Sequence, residues 1–354
     1  MRQRKKINVA ITGLGGGGYG MEILKALKLS SLPYRFVGMD ITRMSYGLRV
    51  VDKSYVVPPA GHPDYLKTLL NIIKKNNIHA LFHGSDKELA VIRPVRDQLN
   101  ALGVFFPANT EDVLDVCMDK LKLNLFLRSK GYKVPATFFI SELGDVKKVL
   151  CYPVVCKPHS GASGSSNVFI AQTETELRQI TGYLLQYLES FIVQEYIGDS
   201  LSEYTVGVLN DMDGNLIDSI AVKRLLTGLS RRISVPNKTG KVQFGADLVV
   251  SSGISQGEIG RFRGVSLFCE KVAASLGSRG PLNIQCRMHN GDVYIFEINP
   301  RFSGTTSFRA MAGFNEPDIL VRRYVLGLGL PAGRVKYKRG MILRALQEEF
   351  MPLR

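Results

Sequence analysis

The sequence contains no tryptophan, only five histidines and five cysteines, and no long uninterrupted apolar run. A membrane-spanning helix needs about 18 or more consecutive apolar residues, so that class is excluded. Cys117, Cys151, Cys156, Cys269 and Cys286 form no Cys-x-x-Cys pair, and an odd number cannot all pair within one chain. This usage predicts a reducing, cytoplasmic compartment. With no His/Cys cluster, a zinc site is not expected. The basic start Met1-Arg2-Gln3-Arg4-Lys5-Lys6 imitates a secretory leader. Glycines from Gly13 onward interrupt the apolar stretch before any small-residue cleavage site, so it reads as a first β-strand.

The 354 residues, 45% of them apolar, suffice for two or three domains with real cores. The formal charge is +15, with 46 basic against 31 acidic side chains. The excess is largely peripheral: residues 1–112 carry 16 against 9, and residues 331–354 carry 6 against 2. Such a surface attracts anions, including nucleic acid or an acidic carrier protein. Nothing resembles a helix-turn-helix, a zinc finger or an aromatic RNA-binding signature, and a solvated basic surface is the simpler reading.

Short apolar runs at 7–12, 34–40 and 79–83 alternate with helical stretches at 19–29, 64–76 and 87–102. That alternation predicts a parallel, doubly wound sheet over 1–112. A helix is expected over 111–131, ending at Gly131. Beyond it the character changes to α+β with antiparallel strands. Short β runs at 153–157 and 167–171 flank a Ser/Gly-rich loop, a helix follows over 174–188, and Phe191–Tyr196 reads as a strand. A hairpin is expected around Asp211–Asn215, a helix over 257–276, and a second hairpin joins 282–287 to 293–299.

Four elements carry chemistry. Gly13, Gly15 and Gly18 with Asp40 match a dinucleotide fingerprint, which alone suggests an NAD-dependent oxidoreductase. Lys157 ends a strand before the loop 158–166, whose backbone N–H groups could fold over polyphosphate; Lys157 would add a fixed charge. Gln194-Glu195-Tyr196-Ile197, followed by Glu203, could read an adenine edge and ribose hydroxyls. In the last hairpin, period 2 puts Glu297 and Asn299 on one face, and Asn283, Gln285 and Arg287 on one face. A two-residue Asn290-Gly291 turn would pair Gln285 with Phe296 and turn it away from Glu297. A three-residue loop with Gly291 left-handed brings Gln285 and Glu297 to a common face, and that loop is expected. Three oxygen ligands would then suit Mg²⁺. Arg301 could hold a phosphoryl group or a carboxylate by its planar fork.

These elements, in this order, resemble the ATP-grasp superfamily, and especially single-unit proteins similar to the large subunit of carbamoyl-phosphate synthase. The resemblance runs from Ile7 to about Phe350. It rests on Thr12-Gly13-Leu14-Gly15, Gly84-Ser85-Asp86, Met118-Asp119-Lys120, Pro153–Pro158, Gln194–Ile197, Gly280–Gln285, Phe296–Arg301 and Met341–Arg344. It implies a Rossmann-like pre-ATP-grasp domain (1–112), a small lobe with a phosphate-covering loop (113–190) and a large lobe with the metal site (191–330). A closing strand and tail would occupy 331–354. It also implies that the first glycine loop binds no dinucleotide.

By motif, the resemblance gives Lys120 and Lys157 phosphate contacts, with Ser163, Gly164 and Ser165 closing over them. Glu195, Tyr196 and Ile197 would line adenine, Glu203 the ribose, and Asn283 the nucleotide site. Gln285, Glu297 and Asn299 would hold Mg²⁺, or Mn²⁺ in its place, and Arg301 the transferred phosphoryl group. The chain holds one such unit, so a complete carbamoyl-phosphate synthase is not expected. The implied activity is an ATP-dependent carboxylate–amine ligase acting through an acylphosphate on small molecules, and it is compatible with a homodimer. A phosphotransferase on the same fold is the alternative. Lys223, Arg224, Arg231 and Arg232 are expected to line the acceptor site.

Overall fold

Buried apolar runs alternating with amphipathic helices build the first domain as anticipated. The computed structural model describes residues 6–16, 18–161 and 167–345. In chain order the domain contains β1 (Ile7–Ile11), α1 (Gly20–Lys28), β2 (Tyr34–Asp40), β3 (Lys53–Val56), α2 (Tyr65–Lys75), β4 (Ala80–Phe82), α3 (Asp86–Ile92) and α4 (Arg96–Ala101). The sheet order is β3-β2-β1-β4, and every pairing is parallel. Val9, Ala10 and Ile11 are fully buried, as a strand covered on both faces requires. α2 buries Tyr65, Leu69, Ile72 and Ile73 along one stripe. The helix expected over 87–102 is broken near Pro94, where the chain passes from α3 through a 3₁₀ turn into α4.

The glycine motif has a packing explanation. A Cβ on Gly84 would lie 2.2 Å from the Thr12 carbonyl oxygen, and one on Gly18 would lie 2.2 Å from the Gly84 carbonyl oxygen. The Tyr19 N–H donates to that same Gly84 carbonyl at 3.1 Å. The turns after β1 and β4 therefore touch backbone to backbone, which only glycine permits. Asp40 accepts from the N–H of its neighbour Ile41 at 2.8 Å.

The helix expected over 111–131 is two helices, α5 (Glu111–Cys117) and α6 (Lys120–Ser129). Asp119 is extended between them, and its carboxylate accepts from the N–H groups of Leu121 and Lys122, capping α6. Val113, Cys117, Leu123 and Leu127 join the core of the large lobe, so the apolar side of this pair packs with that lobe, while Asn124 of α6 donates to Thr137 of the small lobe at 3.0 Å. The small lobe consists of β5 (Thr137–Ile140), β6 (Val154–Lys157), β7 (Phe169–Ala171), α7 (Glu174–Leu184) and β8 (Phe191–Glu195). Its antiparallel order is β5-β8-β6-β7. Because β8 sits inside that sheet, the lobe boundary falls after Glu195 and not at residue 190.

The large lobe adds β9 (Glu203–Asn210), β10 (Leu216–Arg224), β11 (Arg231–Pro236), β12 (Asp247–Ser251), β13 (Gly257–Gly260), α8 (Arg263–Leu276), β14 (Pro281–His289) and β15 (Asp292–Asn299). α9 (Thr306–Ala312), α10 (Glu316–Tyr324) and β16 (Gly340–Ile342) complete the chain order. The expected helix over 257–276 thus begins with a strand. Its six-stranded sheet runs β15-β14-β9-β10-β13-β16, closed by the segment containing Met341, while β11 and β12 pair separately. Val265, Cys269 and Val272 of α8 cover one face, against Val206, Val208, Leu282 and Ile284. Strand alternation sends Glu203, Thr205, Asn283, Gln285 and Arg287 to the other face.

The first domain docks on the large lobe through α1 and α9. There Arg344 donates to both Glu22 oxygens at 3.1 Å and to the Gly304 carbonyl at 2.6 Å. No described helix is long and apolar enough to cross a membrane.

The Gly84→Ala variant should lose about 1–3 kcal/mol of stability in chemical denaturation, because the added methyl meets immovable backbone. Wild-type stability would show that the two turns are not in contact.

Candidate active site

The hairpin between β14 and β15 reaches the expected face by another route. Asn290 and Gly291 are both left-handed, with φ of 50° and 82°, and form a two-residue turn that pairs His289 with Asp292. The pairing continues to Cys286 opposite Ile295, and there the register shifts by a β-bulge. Phe296 is the extra residue, so Gln285 comes opposite Glu297 and Asn283 opposite Asn299. The three-residue loop is therefore corrected to a tight turn plus a bulge. The outcome is the same: an amide, a carboxylate and a second amide share one face.

Two lysines approach that face from different elements. Lys157, the last residue of β6, donates to Gln194 Oε1 at 2.8 Å and to the Phe296 carbonyl at 3.3 Å. Its ammonium also lies 5.6 Å from the Phe296 ring centroid. The bulged residue is thus also the one that seats the lysine. Burial and then the neighbouring Lys120 charge push Lys157 down to about 7, against the attraction of Glu297. Lys120 opens α6, and its Nζ lies 3.8 Å from Glu297 Oε1. The Lys120 N–H donates to the His159 carbonyl at 2.8 Å, and the His159 ring meets Asp119 at 3.0 Å, tying the stem of the 158–166 loop to α6. Ser163, Gly164 and Ser165 lie outside the described residues.

Gln285, Glu297 and Asn299 offer hard oxygen donors of the kind Mg²⁺ takes. Two lysines against one carboxylate make the pocket a poor host for a bare cation. A polyphosphate would reverse that balance, so the residues fit a metal delivered with its nucleotide.

Several candidates have different partners from those expected. Glu203 is buried, its two oxygens taken by Arg224 at 3.0 Å and Arg287 at 2.9 Å. Burial opposes its ionisation, but Arg287 and Arg224 hold its carboxyl below the usual range. The three residues form a ladder across β10, β9 and β14, and leave neither Glu203 for ribose nor Arg224 for substrate. Arg224 further donates to the Ser252 and Ile254 carbonyls.

Asn283 Oδ1 accepts from Arg309 at 2.6 Å and Thr205 at 2.9 Å, so it supports the sheet from inside. Gly207 admits Arg309, since a Cβ there would lie 2.3 Å from its Nη1. Lys223 alternates to the α8 side of β10, opposite Arg224. Arg231 and Arg232 are exposed on β11.

Arg301 is spoken for as well. Its Nε donates to Asp86 Oδ1 at 2.9 Å, Nη1 to the Phe302 carbonyl at 3.0 Å, and Nη2 to Asn299 Oδ1 at 3.0 Å. Its guanidinium stacks 4.3 Å from the Tyr19 ring centroid. It offers no free fork. Glu195 and Ile197 flank Tyr196 where the chain passes from β8 into the large lobe. Tyr196 N–H donates to the Pro153 carbonyl at 3.1 Å, and the Ile197 carbonyl accepts from Arg287 at 3.2 Å. Sequence reasoning gave no role to Phe296, Tyr19 or Asp86, and placed Gln194 in the adenine-reading stretch, whereas its side chain seats Lys157. An Asp at the start of a helix after a short strand was the available signal for Asp86.

Comparison with known proteins agrees with this architecture. Residues 9–106 match the PylC-like N-terminal domain, and residues 250–349 match the family described as "ATP-grasp in the biosynthetic pathway with Ter operon". The carbamoyl phosphate synthase large chain of Helicobacter pylori is 23% identical over 357 residues, covering 98% of this chain and 30% of that protein. For the large chain of Methanocorpusculum labreanum the figures are 22% over 325 residues, 87% and 29%. The chain thus spans under a third of the length of these relatives.

An ADP complex of N5-carboxyaminoimidazole ribonucleotide synthetase superposes with a TM-score of 0.65 at 14% identity, covering 94% of this chain and 79% of that one. An L-amino acid ligase from Bacillus licheniformis gives 0.60 at 15%, covering 91% and 75%. The chain therefore has the ATP-grasp fold behind a PylC-like N-terminal domain. Over most of its length it is similar to one segment of the carbamoyl phosphate synthase large chains.

Binding an anionic phosphate should return Lys157 to its charged form. At about pH 8 nucleotide binding should take up a proton, and at about pH 6 it should not, since the lysine is already charged there. Calorimetry in buffers of different ionisation heat measures this, and Lys157→Met should abolish the uptake. Equal uptake in that variant would assign the proton elsewhere.

Proposed function

We propose that this chain is an ATP-dependent ligase that activates a small-molecule carboxylate as an acylphosphate for attack by an amine, releasing ADP and phosphate. The observation that carries the reading is the convergence of Gln285, Glu297 and Asn299 with Lys157 and Lys120 on one sheet face beside the small lobe. The solved neighbours support it, since they include synthetases in complex with ADP and an L-amino acid ligase.

A carboxylate resists an amine because oxide is a poor leaving group. In the proposed reaction a carboxylate oxygen attacks the γ-phosphorus and the bond to ADP breaks. The amine then adds to the acyl carbon, phosphate departs, and the nitrogen loses a proton. Lys157, seated by Gln194 and the Phe296 carbonyl, is a fixed cation for the phosphate chain and needs no reorganisation as charge shifts. Lys120 adds a second contact from the start of α6. Glu195, Tyr196 and Ile197 would line adenine at the join between lobes. Gln285, Glu297 and Asn299 would hold Mg²⁺, with Mn²⁺ able to replace it. When bound, that cation neutralises phosphate charge. Glu203, Arg224 and Asn283 hold the platform beneath. Five thiols with no disulfide between them support a reducing compartment.

ADP release screened over amino acids and small acids, singly and in pairs, tests the reaction. Dependence on two compounds supports ligation; dependence on one indicates stable phosphotransfer. Glu297→Ala should abolish Mg²⁺-dependent turnover with the fold intact. Lys157→Ala should lose about 2–4 kcal/mol of transition-state stabilisation, as for a lost electrostatic donor. Near-normal ADP production by both variants would contradict the assignment.

A further inference from the structure

The Asp86–Arg301 pair crosses from the N-terminal domain to the hairpin that carries the candidate cation ligands, and the proposed reaction gives it no task. We propose that Asp86 is a positioning residue for the cation site: it fixes Arg301, which in turn fixes the side-chain amide of Asn299 with its oxygen toward the ligand set. The inference rests on reading Gln285, Glu297 and Asn299 as cation ligands.

An asparagine amide has nearly the same shape either way round, yet only its oxygen binds a cation. A guanidinium has donors and no acceptor, so Arg301 Nη2, 3.0 Å from Asn299 Oδ1, selects one orientation. The second lone pair of that oxygen remains for a metal. A lone arginine would wander among rotamers, but this one is held on every side. Asp86 grips Nε at 2.9 Å and Nη2 at 3.3 Å, the Phe302 carbonyl takes Nη1, and the Tyr19 ring lies beneath the plane.

Asp86 is itself fixed. It is the first residue of α3, whose preceding Ser85 accepts from the Glu88 N–H. The Tyr19 hydroxyl donates to Asp86 Oδ1 at 3.2 Å and lies 2.9 Å from Nδ1 of the buried His83. The frame is therefore the β4–α3 turn, locked against the β1–α1 turn by the close approach of Gly84 and Gly18. The N-terminal domain thus shapes the cation site without supplying a ligand. Partners that orient a metal ligand commonly matter nearly as much as the ligand itself.

A role confined to domain docking would be shared by other bonds across the same interface. Ser30 and Tyr34 both donate to Asp318 of α10, at 2.6 and 2.7 Å, and neither touches the hairpin. Tyr34→Phe is therefore the control. The measurement is calorimetric affinity for the imido analogue of ATP, with and without Mg²⁺, on the full chain. In Asp86→Asn the gain in affinity on adding Mg²⁺ should fall about 10–100-fold, while metal-free affinity stays within about threefold of wild type. Asp86→Glu should recover part of the loss, and Tyr34→Phe should keep the wild-type gain.

An unchanged gain in Asp86→Asn, or an equal loss in Tyr34→Phe, overturns the proposal. Should Asp86→Asn not fold, Tyr19→Phe, which keeps the ring and removes the hydroxyl, carries the test. A loss of about two- to fivefold in its Mg²⁺ gain supports the proposal, and no loss overturns it. A wild-type protein that binds the analogue with no gain from Mg²⁺ refutes the ligand assignment itself, a result visible before any variant is compared.

Discussion

One inserted residue sets the geometry of the site. The tight turn at Asn290-Gly291 would by itself send Gln285 and Glu297 to opposite faces of the sheet. The bulge at Phe296 reverses that, and the same residue offers its carbonyl and its ring to Lys157. A register choice in two strands thereby decides both where a cation could be held and where a buried ammonium sits. Bulges re-aim side chains at the cost of one ladder position, and here both consequences meet in one pocket.

Around that point the charges are arranged in two tiers. The lower tier, Arg224–Glu203–Arg287 with Arg309–Glu316 beside it, is buried and internally paired. It holds the polar face of the sheet rigid and contributes no free group. The upper tier, Lys120, Lys157 and Glu297, carries an excess of positive charge and is compensated only in part. Each tier carries one positive charge in excess, three arginines against two carboxylates below and two lysines against one above, but the lower charges are buried in ion pairs with one another, so it is the upper excess that an anionic ligand would meet. Lys157 registers this imbalance directly: burial and Lys120 together lower its proton affinity.

Much of this was legible in the sequence. Alternating strands and helices identified the parallel first sheet, and period 2 in 282–299 put Glu297 with Asn299, and Asn283 with Gln285, on shared faces. The 111–131 and 257–276 stretches read as single helices because apolar spacing continues across Asp119 and across β13; Asp119 breaks the first by turning out to cap α6, and pairing of β13 with β10 and β16 breaks the second. β8 was assigned to the wrong lobe because nothing local records which sheet a strand joins. Arg224, Glu203 and Arg301 looked available because a sequence lists charges but not their partners. Side chains tens or hundreds of positions apart neutralise them, Asp86 and Arg301 most clearly. The glycines after β1 looked like a phosphate loop because close backbone approach demands glycine whether the neighbour is a ligand or another turn.

The central claim is that a cation is held between Gln285, Glu297 and Asn299 when a nucleotide is bound. Anomalous scattering from Mn²⁺ in crystals grown with ADP tests it most directly. The account predicts a single strong peak within coordination distance of Glu297 and Asn299, with the β-phosphate turned toward Lys157. A peak elsewhere, or a nucleotide seated away from Lys157, would contradict it.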